Sequence, residues 1–166
     1  RACRRTLRFL RRVDAHMKTL HEDAQIIIDA ALRAAQPDEA VRKALSGLRV
    51  DGGGRLVLVA VGKAAWRMAD AAVHILGDRV DEGIVITKYG HSGGELPRIR
   101  VYEAGHPVPD GNSFAATEQA IALVKDLSER DTVVLLISGG GSALFEKPLI
   151  PPEELGALTE KLLACG

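Results

Sequence analysis

The chain is poor in cysteine and aromatic residues, and it contains no long apolar run. Its two cysteines, Cys3 and Cys165, stand near opposite ends of the 166 residues, which gives neither a disulfide framework nor the close spacing of metal ligands. Every apolar stretch is short and interrupted by charge, so no segment is predicted to span a membrane. We therefore expect a cytoplasmic globular protein with no metal ligand and no membrane partner.

The net charge of zero conceals a basic head on an acidic body. Residues 1–12 hold six of the 22 basic residues and no acid, which leaves 16 basic against 22 acidic residues in the rest. Such a head could bind nucleic acid or act as a transit peptide. It lacks the serines of a transit peptide, however. Met17 begins the segment Met-Lys-Thr-Leu, which looks like the ordinary start of a protein sequence. We favour a disordered or non-native extension at 1–16 and expect no nucleic-acid partner.

From Met17 onward, helical and strand-like patterns alternate, which is typical of a layered α/β domain. Helices are predicted at 22–35, 37–45, 64–76, 113–127 and 152–163, and strands at 56–61, 83–87, 99–103 and 132–137. Ser113 or Asn112 should cap the fourth helix, and three glycines predict a mobile loop at 88–97. For residues 17–166 we expect a Rossmann-like three-layer α/β/α arrangement with a mostly parallel sheet, incomplete in this chain.

The last predicted strand breaks at once into Ser138-Gly139-Gly140-Gly141-Ser142. Glycine gives up packing and chain entropy, so such a run is tolerated mainly where the backbone takes conformations closed to other residues. Successive bare amides form a concave anion site, and phosphate is the usual occupant beyond a strand end in an α/β protein. The alternative interpretation is a flexible surface turn.

Lys63 stands directly after the first strand, beside Gly62 and at the start of a helix. A lysine is misplaced at a helix N-terminus, because that end already carries partial positive charge. An anionic ligand would reverse the argument, since the ammonium group, the helix end and the Gly62 amide would all converge on it. The alternative is a solvated lysine near a turn. Neither the P-loop spacing nor the dinucleotide fingerprint GxGxxG is present.

A third polar segment, 105–113, follows the third strand and carries His106, Asp110, Asn112 and Ser113. Its two prolines hold these polar groups at low entropic cost. Each residue also has an ordinary structural explanation: Asp110 could form a turn, Ser113 could cap a helix, and His106 could cap the strand.

The three segments read VGKAAWRMA at 61–69, EAGHPVPD at 103–110 and ISGGGSAL at 137–144. Together, in this order and spacing, they resemble the N-terminal part of the glycerate 2-kinases of the MOFRL-associated type. Those enzymes transfer a phosphoryl group from ATP to D-glycerate, giving 2-phosphoglycerate. The resemblance implies a two-domain enzyme of which this chain holds part of the larger, Rossmann-like domain, with the second domain absent.

The resemblance also implies roles for individual residues. Lys63 would be catalytic and would stabilise charge on phosphoryl oxygens, and the cofactors would be ATP and Mg²⁺, with the metal ion bridging nucleotide oxygens. We predict that the phosphate of the nucleotide is bound by the glycine loop, consisting of Ser138, Gly139, Gly140, Gly141 and Ser142. His106 and Asp110 are predicted to bind the glycerate substrate.

Family members continue well beyond residue 166, so we interpret the chain as a fragment and expect little or no kinase activity from it alone. Two alternatives remain open. One is a hydroxypyruvate reductase-type oxidoreductase, which would need a nicotinamide site although the fingerprint is missing. The other is a non-catalytic ligand-binding module. Apolar surface left by the missing strands should also favour association, so a homo-oligomer is considered.

Overall fold

A computed structural model describes residues 19–49 and 53–166. The extension predicted at 1–16 lies outside the described residues. The described residues form two compact units, divided between Glu39 and Ala40. In the first unit, helix α1 covers residues 19–34, and helix α2, Pro37–Leu45, begins before the boundary and ends in the second unit. Both helices confirm the predicted ones. Within the described ranges, no helix has the length and apolar character that crossing a membrane demands.

The second unit is built on four parallel strands, in the order β3-β2-β1-β4. These are β1 Leu56–Val61, β2 Glu82–Lys88, β3 Ile99–Ala104 and β4 Thr132–Ile137. Val61 is aligned with Ile86 of β2 on one side and Ile137 of β4 on the other. The carboxyl ends of neighbouring strands therefore meet at one edge of the sheet, which is where α/β proteins bind their ligands.

Helices cover both faces of the sheet, so the second unit has three layers. Helix α3, Ala65–Leu76, and helix α4, Gly111–Lys125, pack on opposite faces. Alternate residues of β1 serve the two sides: Leu58 packs with the α3 cluster and Val59 with the α4 cluster. Both faces of β1 are buried, which explains its continuous apolar sequence. The predicted α/β class is confirmed.

Strand β4 has the predicted bounds, but only one of its faces is buried. Val133, Leu135 and Ile137 are 44%, 51% and 64% exposed, whereas Val134 and Leu136 are 9% exposed. The exposed residues share a face with α4, and α4 lies over β2 and β3 instead of β4. An apolar strand at the edge of the sheet is thus left with one open face.

The predicted start of α4 is wrong. The helix begins at Gly111, and its N-cap is Asp110 instead of Ser113 or Asn112. The Asp110 carboxylate accepts the backbone N–H of Ser113 at 3.0 Å, and the Ser113 hydroxyl accepts the backbone N–H of Asp110 at 3.2 Å. This reciprocal capping box satisfies two backbone donors and makes Ser113 the third helical residue.

Three further elements complete the unit. A 3₁₀ turn, Gly77–Arg79, follows α3, and the short helix α5, Gly141–Leu144, follows the glycine loop. Neither is predicted by the sequence. Helix α6, Pro152–Ala164, closes the chain where a helix is predicted.

Candidate active site

The structure brings together Lys63, the glycine loop and His106. The backbone N–H of Lys63 donates to the carbonyl oxygen of Gly139 at 3.1 Å, which ties the end of β1 to the loop after β4. A methyl group built on Gly140 would lie 2.6 Å from Nε2 of His106 and 3.1 Å from Cε of Lys63. Both side chains therefore pack against the backbone at Gly140.

Two glycines are required by this close approach. Gly140 has a φ of 83°, in the left-handed region, and caps the start of α5. Gly62 has a φ of 112°, and a β-carbon there would overlap the hydroxyl and carbonyl of Ser138. Any other residue at either position would strain the backbone and fill space that the site uses.

The glycine loop offers several unused backbone donors. The N–H of Ser138 donates to the carbonyl of Val61 at 2.9 Å, which continues the sheet. In the part of the chain that the structure describes, the amides at 139–142 have no protein acceptor. A run of free amides beside a lysine is a favourable arrangement for an anion. The Ser138 hydroxyl is already engaged, because it accepts the N–H of Ala64 at 3.0 Å.

The N-terminus of α3 lies at the same place, where the N–H of Ala64 donates to the Ser138 hydroxyl and the N–H of Ala65 donates to the carbonyl of Gly62 at 3.1 Å. Its N-cap, Ala64, provides no side-chain hydrogen bond, and its first turn contains no acidic residue. Among the described residues, Lys63 has no salt-bridge partner. Positive charge from the helix end and from the lysine is therefore uncompensated by the protein.

His106 adds a neutral, partly buried imidazole to this basic cluster. Burial lowers the pKa of His106, and the positive charges of Lys63 and Lys88 lower this pKa further. The residue is followed by a cis peptide bond to Pro107. At neutral pH the ring is uncharged, so His106 can accept a proton.

Asp110 is placed differently from the other predicted site residues, because its carboxylate is engaged by the protein. It accepts hydrogen bonds from the Tyr89 hydroxyl at 2.7 Å, the Ser113 hydroxyl at 3.1 Å and the Ser113 backbone at 3.0 Å. Partial burial would raise the pKa of Asp110, but hydrogen bonds from Tyr89, Ser113 and the Gly105 backbone outweigh it and lower the pKa. The geometry makes Asp110 a helix cap, and its substrate contact stays a prediction.

The loop at 88–97, predicted as mobile, is held by specific contacts. The indole N–H of Trp66 donates to the carbonyl of Gly94 at 2.8 Å, and the backbone N–H of Ser92 donates to the carboxylate of Glu103 at 3.0 Å. A β-carbon at Gly93 would lie 2.5 Å from the Trp66 ring. Glycine here allows the loop to lie flat on the indole.

Three residues near the cluster were missed by sequence reasoning: Thr87, Tyr89 and His91. All follow or end β2, whose carboxyl end lies beside that of β1. Their position after a neighbouring parallel strand was the available signal, but no motif singles them out.

A cleft elsewhere on the surface does not contain the clustered site residues. An open cleft of about 660 Å³ runs along β3, and its lining includes Ser92, Leu96, Val101 and Glu103 but not Lys63, His106 or the glycine loop. Within 19–49 and 53–166, no group of three or more histidine, cysteine or carboxylate side chains is arranged to hold a metal ion.

A parallel sheet with helices on both faces makes the chain an α/β protein, a class in which ligands bind beyond the carboxyl ends of the strands. Residues 23–166 match the family model described as "Domain of unknown function (DUF4147)". Because this match covers most of the chain, the chain belongs to the DUF4147 family.

Named relatives confirm the resemblance. Over 142 residues the chain is 50% identical to a protein named D-glycerate 2-kinase from Thermotoga maritima, covering 84% of this chain and 33% of that protein. It is 41% identical over 151 residues to a glycerate 2-kinase from Pyrococcus horikoshii, covering 84% and 34%. A putative hydroxypyruvate reductase from Agrobacterium vitis is 43% identical over 145 residues, covering 84% and 32%.

The fold agrees with these relatives. A crystal structure of glycerate kinase from Thermotoga maritima superposes with a TM-score of 0.79 at 48% sequence identity, over 90% of this chain and 36% of that one. The chain thus spans about a third of the length of the relatives that it matches.

Proposed function

We propose that this chain provides the phosphate-binding wall of an ATP-dependent kinase that converts D-glycerate to 2-phosphoglycerate. The observation that carries the proposal is the convergence of Lys63, His106 and Gly140 in a chain that is 50% identical to a protein named D-glycerate 2-kinase. The Rossmann-like description of the domain and a cytoplasmic location belong to the same proposal.

The chemistry needs charge stabilisation more than covalent catalysis. A hydroxyl oxygen of glycerate attacks the γ-phosphorus of ATP, the bond from that phosphorus to the β–γ bridging oxygen breaks, and ADP leaves with the electron pair. Negative charge on the transferred group is stabilised by the Lys63 ammonium and by free amides of the glycine loop. The backbone of Lys63 is tied to the glycine loop before the nucleotide arrives, because its N–H donates to the carbonyl of Gly139.

His106 is suited to take the proton that the glycerate hydroxyl loses. Its lowered pKa leaves the ring neutral at neutral pH, and its Nε2 lies against the same glycine as Lys63. A base in hydrogen-bond reach of the attacking hydroxyl contributes substantially to such a transfer.

Mg²⁺ is expected to enter with the nucleotide. Asp110, the carboxylate of the 105–113 segment, is engaged as a helix cap, and the described ranges contain no group of three or more side chains that could hold a metal ion. The residues of this chain therefore do not fit a metal site by themselves.

Isothermal titration calorimetry of this chain with ATP, D-glycerate and NADH tests the proposal. We expect ATP binding that is lost in Lys63→Met, no NADH binding, and no ATP-dependent turnover of glycerate by residues 1–166 alone. Lys125→Met, which removes an exposed charge from the last turn of α4, is the matched control. NADH binding without ATP binding would overturn the kinase assignment.

A hydroxypyruvate reductase is the second candidate, and the Agrobacterium vitis relatives of that name favour it. The turn after β1 argues against it, because Gly62-Lys63-Ala64-Ala65 lacks the glycines that let a backbone approach a dinucleotide pyrophosphate. The NADH titration decides between the two candidates.

Self-association through β4 is also proposed. The outward residues Val133, Leu135 and Ile137 form an apolar strip on an edge strand that contains no lysine or proline, the usual protection of exposed edges. Sedimentation velocity should show concentration-dependent association that Leu135→Lys abolishes. Association unchanged by this variant would exclude β4 as the contact.

A further inference from the structure

The backbone of Lys63 is held on both sides by groups that belong to other segments. Its N–H is bonded to Gly139, as described above. Its carbonyl oxygen faces two donors from the end of β2 and the loop beyond: the Thr87 hydroxyl at 3.3 Å and Nδ1 of His91 at 3.1 Å. The Thr87 hydroxyl also lies 3.1 Å from the carbonyl oxygen of Gly62.

Thr87 is a buried polar residue whose hydroxyl contacts the Gly62–Lys63 turn. It is 0% exposed, and both recorded contacts of its hydroxyl are to the carbonyls of the Gly62–Lys63 turn. Gly62 has a φ of 112°, a region that glycine enters freely, so glycine alone does not restrict the turn to one geometry. A buried donor shared by two successive carbonyls provides that restriction.

The contact of His91 fixes its tautomer. A carbonyl oxygen can only accept a hydrogen bond, so Nδ1 of His91 must carry the proton in this contact. The neutral ring then has its lone pair on Nε2. The His91 side chain is exposed, so replacing His91 should change the stability of the fold little.

We propose that Thr87 and His91 are positioning residues for Lys63: they lock the Gly62–Lys63 turn so that the lysine side chain extends along Gly140 towards the free amides of the glycine loop. The inference rests on the proposed function for the importance of Lys63, and on geometry alone for the locking of the turn.

The loop after β2 is itself fixed, which makes it an effective support. Its backbone is anchored to the indole of Trp66 and to Glu103, and the N–H of His91 donates to the carbonyl of Lys88 at 3.0 Å. The position of Lys63 is therefore set by β1, β2 and β4 together.

The first test compares threonine variants in their affinity for tripolyphosphate, measured by calorimetry on this chain. Thr87→Val should weaken binding roughly fivefold, the factor that one neutral hydrogen bond is worth, and Thr87→Ser should restore it. Thr117→Val is the matched control, because Thr117 is 3% exposed and its hydroxyl contacts the carbonyl of Ser113 and the N–H of Glu146, neither of which belongs to the Gly62–Lys63 turn or the glycine loop. It should lose stability without losing affinity.

The second test uses His91, whose exposure makes misfolding of a variant of little concern. His91→Phe keeps a ring but removes the donor, and it should weaken tripolyphosphate binding and speed hydrogen exchange of the Lys63 amide. In the unsubstituted chain, ¹⁵N NMR of the ring at neutral pH should show the proton on Nδ1.

The results separate the two proposals. If the unsubstituted chain does not bind tripolyphosphate, the proposed phosphate site fails, and the locking of Lys63 is judged from its amide exchange and the His91 tautomer. A proton on Nε2, with Lys63 amide exchange unchanged in Thr87→Val and His91→Phe, overturns the inference. Equal loss of affinity in Thr87→Val and Thr117→Val also overturns it, because a general loss of stability would then explain the effect.

Discussion

Helices α3 and α4 both begin beyond the carboxyl end of a parallel strand, but their N-termini are completed in opposite ways. The first turn of α4 is closed by its own side chains, through the capping box of Asp110 and Ser113. The first turn of α3 has no side-chain cap and no acidic residue, and it follows Lys63. We infer that a helix N-terminus capped by its own carboxylate is structural. An N-terminus that has no acidic residue and lies beside a cation is available to an anion.

Replacing Lys63 should give the largest loss of anion binding at the N-terminus of α3. Lys63→Met should weaken tripolyphosphate binding roughly ten- to a hundredfold, since a charged hydrogen bond contributes about 1.5–3 kcal/mol. Calorimetry on this chain measures the change. Lys125→Met, on the last turn of α4, should bind as the unsubstituted chain does, and a loss shared by both variants would mean that only overall charge matters.

Replacing Gly140 should fill the space beside His106 and Lys63. Gly140→Ala places a methyl group 2.6 Å from His106 and forces alanine to a φ of 83°, a conformation that costs about 1–2 kcal/mol. Urea denaturation should report the loss of stability, and calorimetry the loss of tripolyphosphate binding. Gly77→Ala is the control: its φ is 56° and nothing lies within 4 Å, so it should lose stability alone. Unchanged binding in Gly140→Ala would remove Gly140 from the site.

Replacing Asp110 breaks the closed end instead. Asp110→Ala should lower the free energy of unfolding by about 1 kcal/mol, the usual value of a helix N-cap, while Asp110→Asn retains most of it. The pKa of Asp110 is lowered in the folded state, so its stabilisation is complete above its ordinary pKa and is lost as pH falls through the folded-state pKa. Denaturation of the two variants at neutral and strongly acidic pH measures this. Loss of D-glycerate binding in Asp110→Asn would instead support a ligand contact.

His106 stands between the two helix ends and gives the smallest signal. Burial and neighbouring cations lower its pKa, so a bound anion should raise the pKa towards its ordinary value by neutralising those cations. NMR titration of the His106 ring with and without tripolyphosphate measures the shift, and His106→Gln identifies the resonance. A pKa unchanged by saturating tripolyphosphate would place the anion away from the ring.

The sequence predicts the strands well because β1, β2 and β4 contain apolar runs, and β3 has Ile99 and Val101 at alternate positions. Helix α4 shows where such reasoning fails, because Asp110, Asn112 and Ser113 are all residue types that cap helices well. Only the hydrogen bond from the backbone N–H of Asp110 to the Ser113 hydroxyl decides among them. The convergence of Lys63 with the glycine loop could be predicted, since both follow neighbouring parallel strands. The part played by Thr87 could not, because nothing in an apolar strand sequence distinguishes a threonine bonded to a neighbouring turn from one that merely suits a strand.

The contact between Trp66 and the loop at 88–97 gives the molecule a built-in optical reporter. Trp66 is the single tryptophan of the chain, its N–H is bonded to Gly94, and its ring lies against Gly93. The same loop carries His91, which contacts the backbone of Lys63. Fluorescence from one indole therefore reads the conformation of the segment that supports the lysine, without any label.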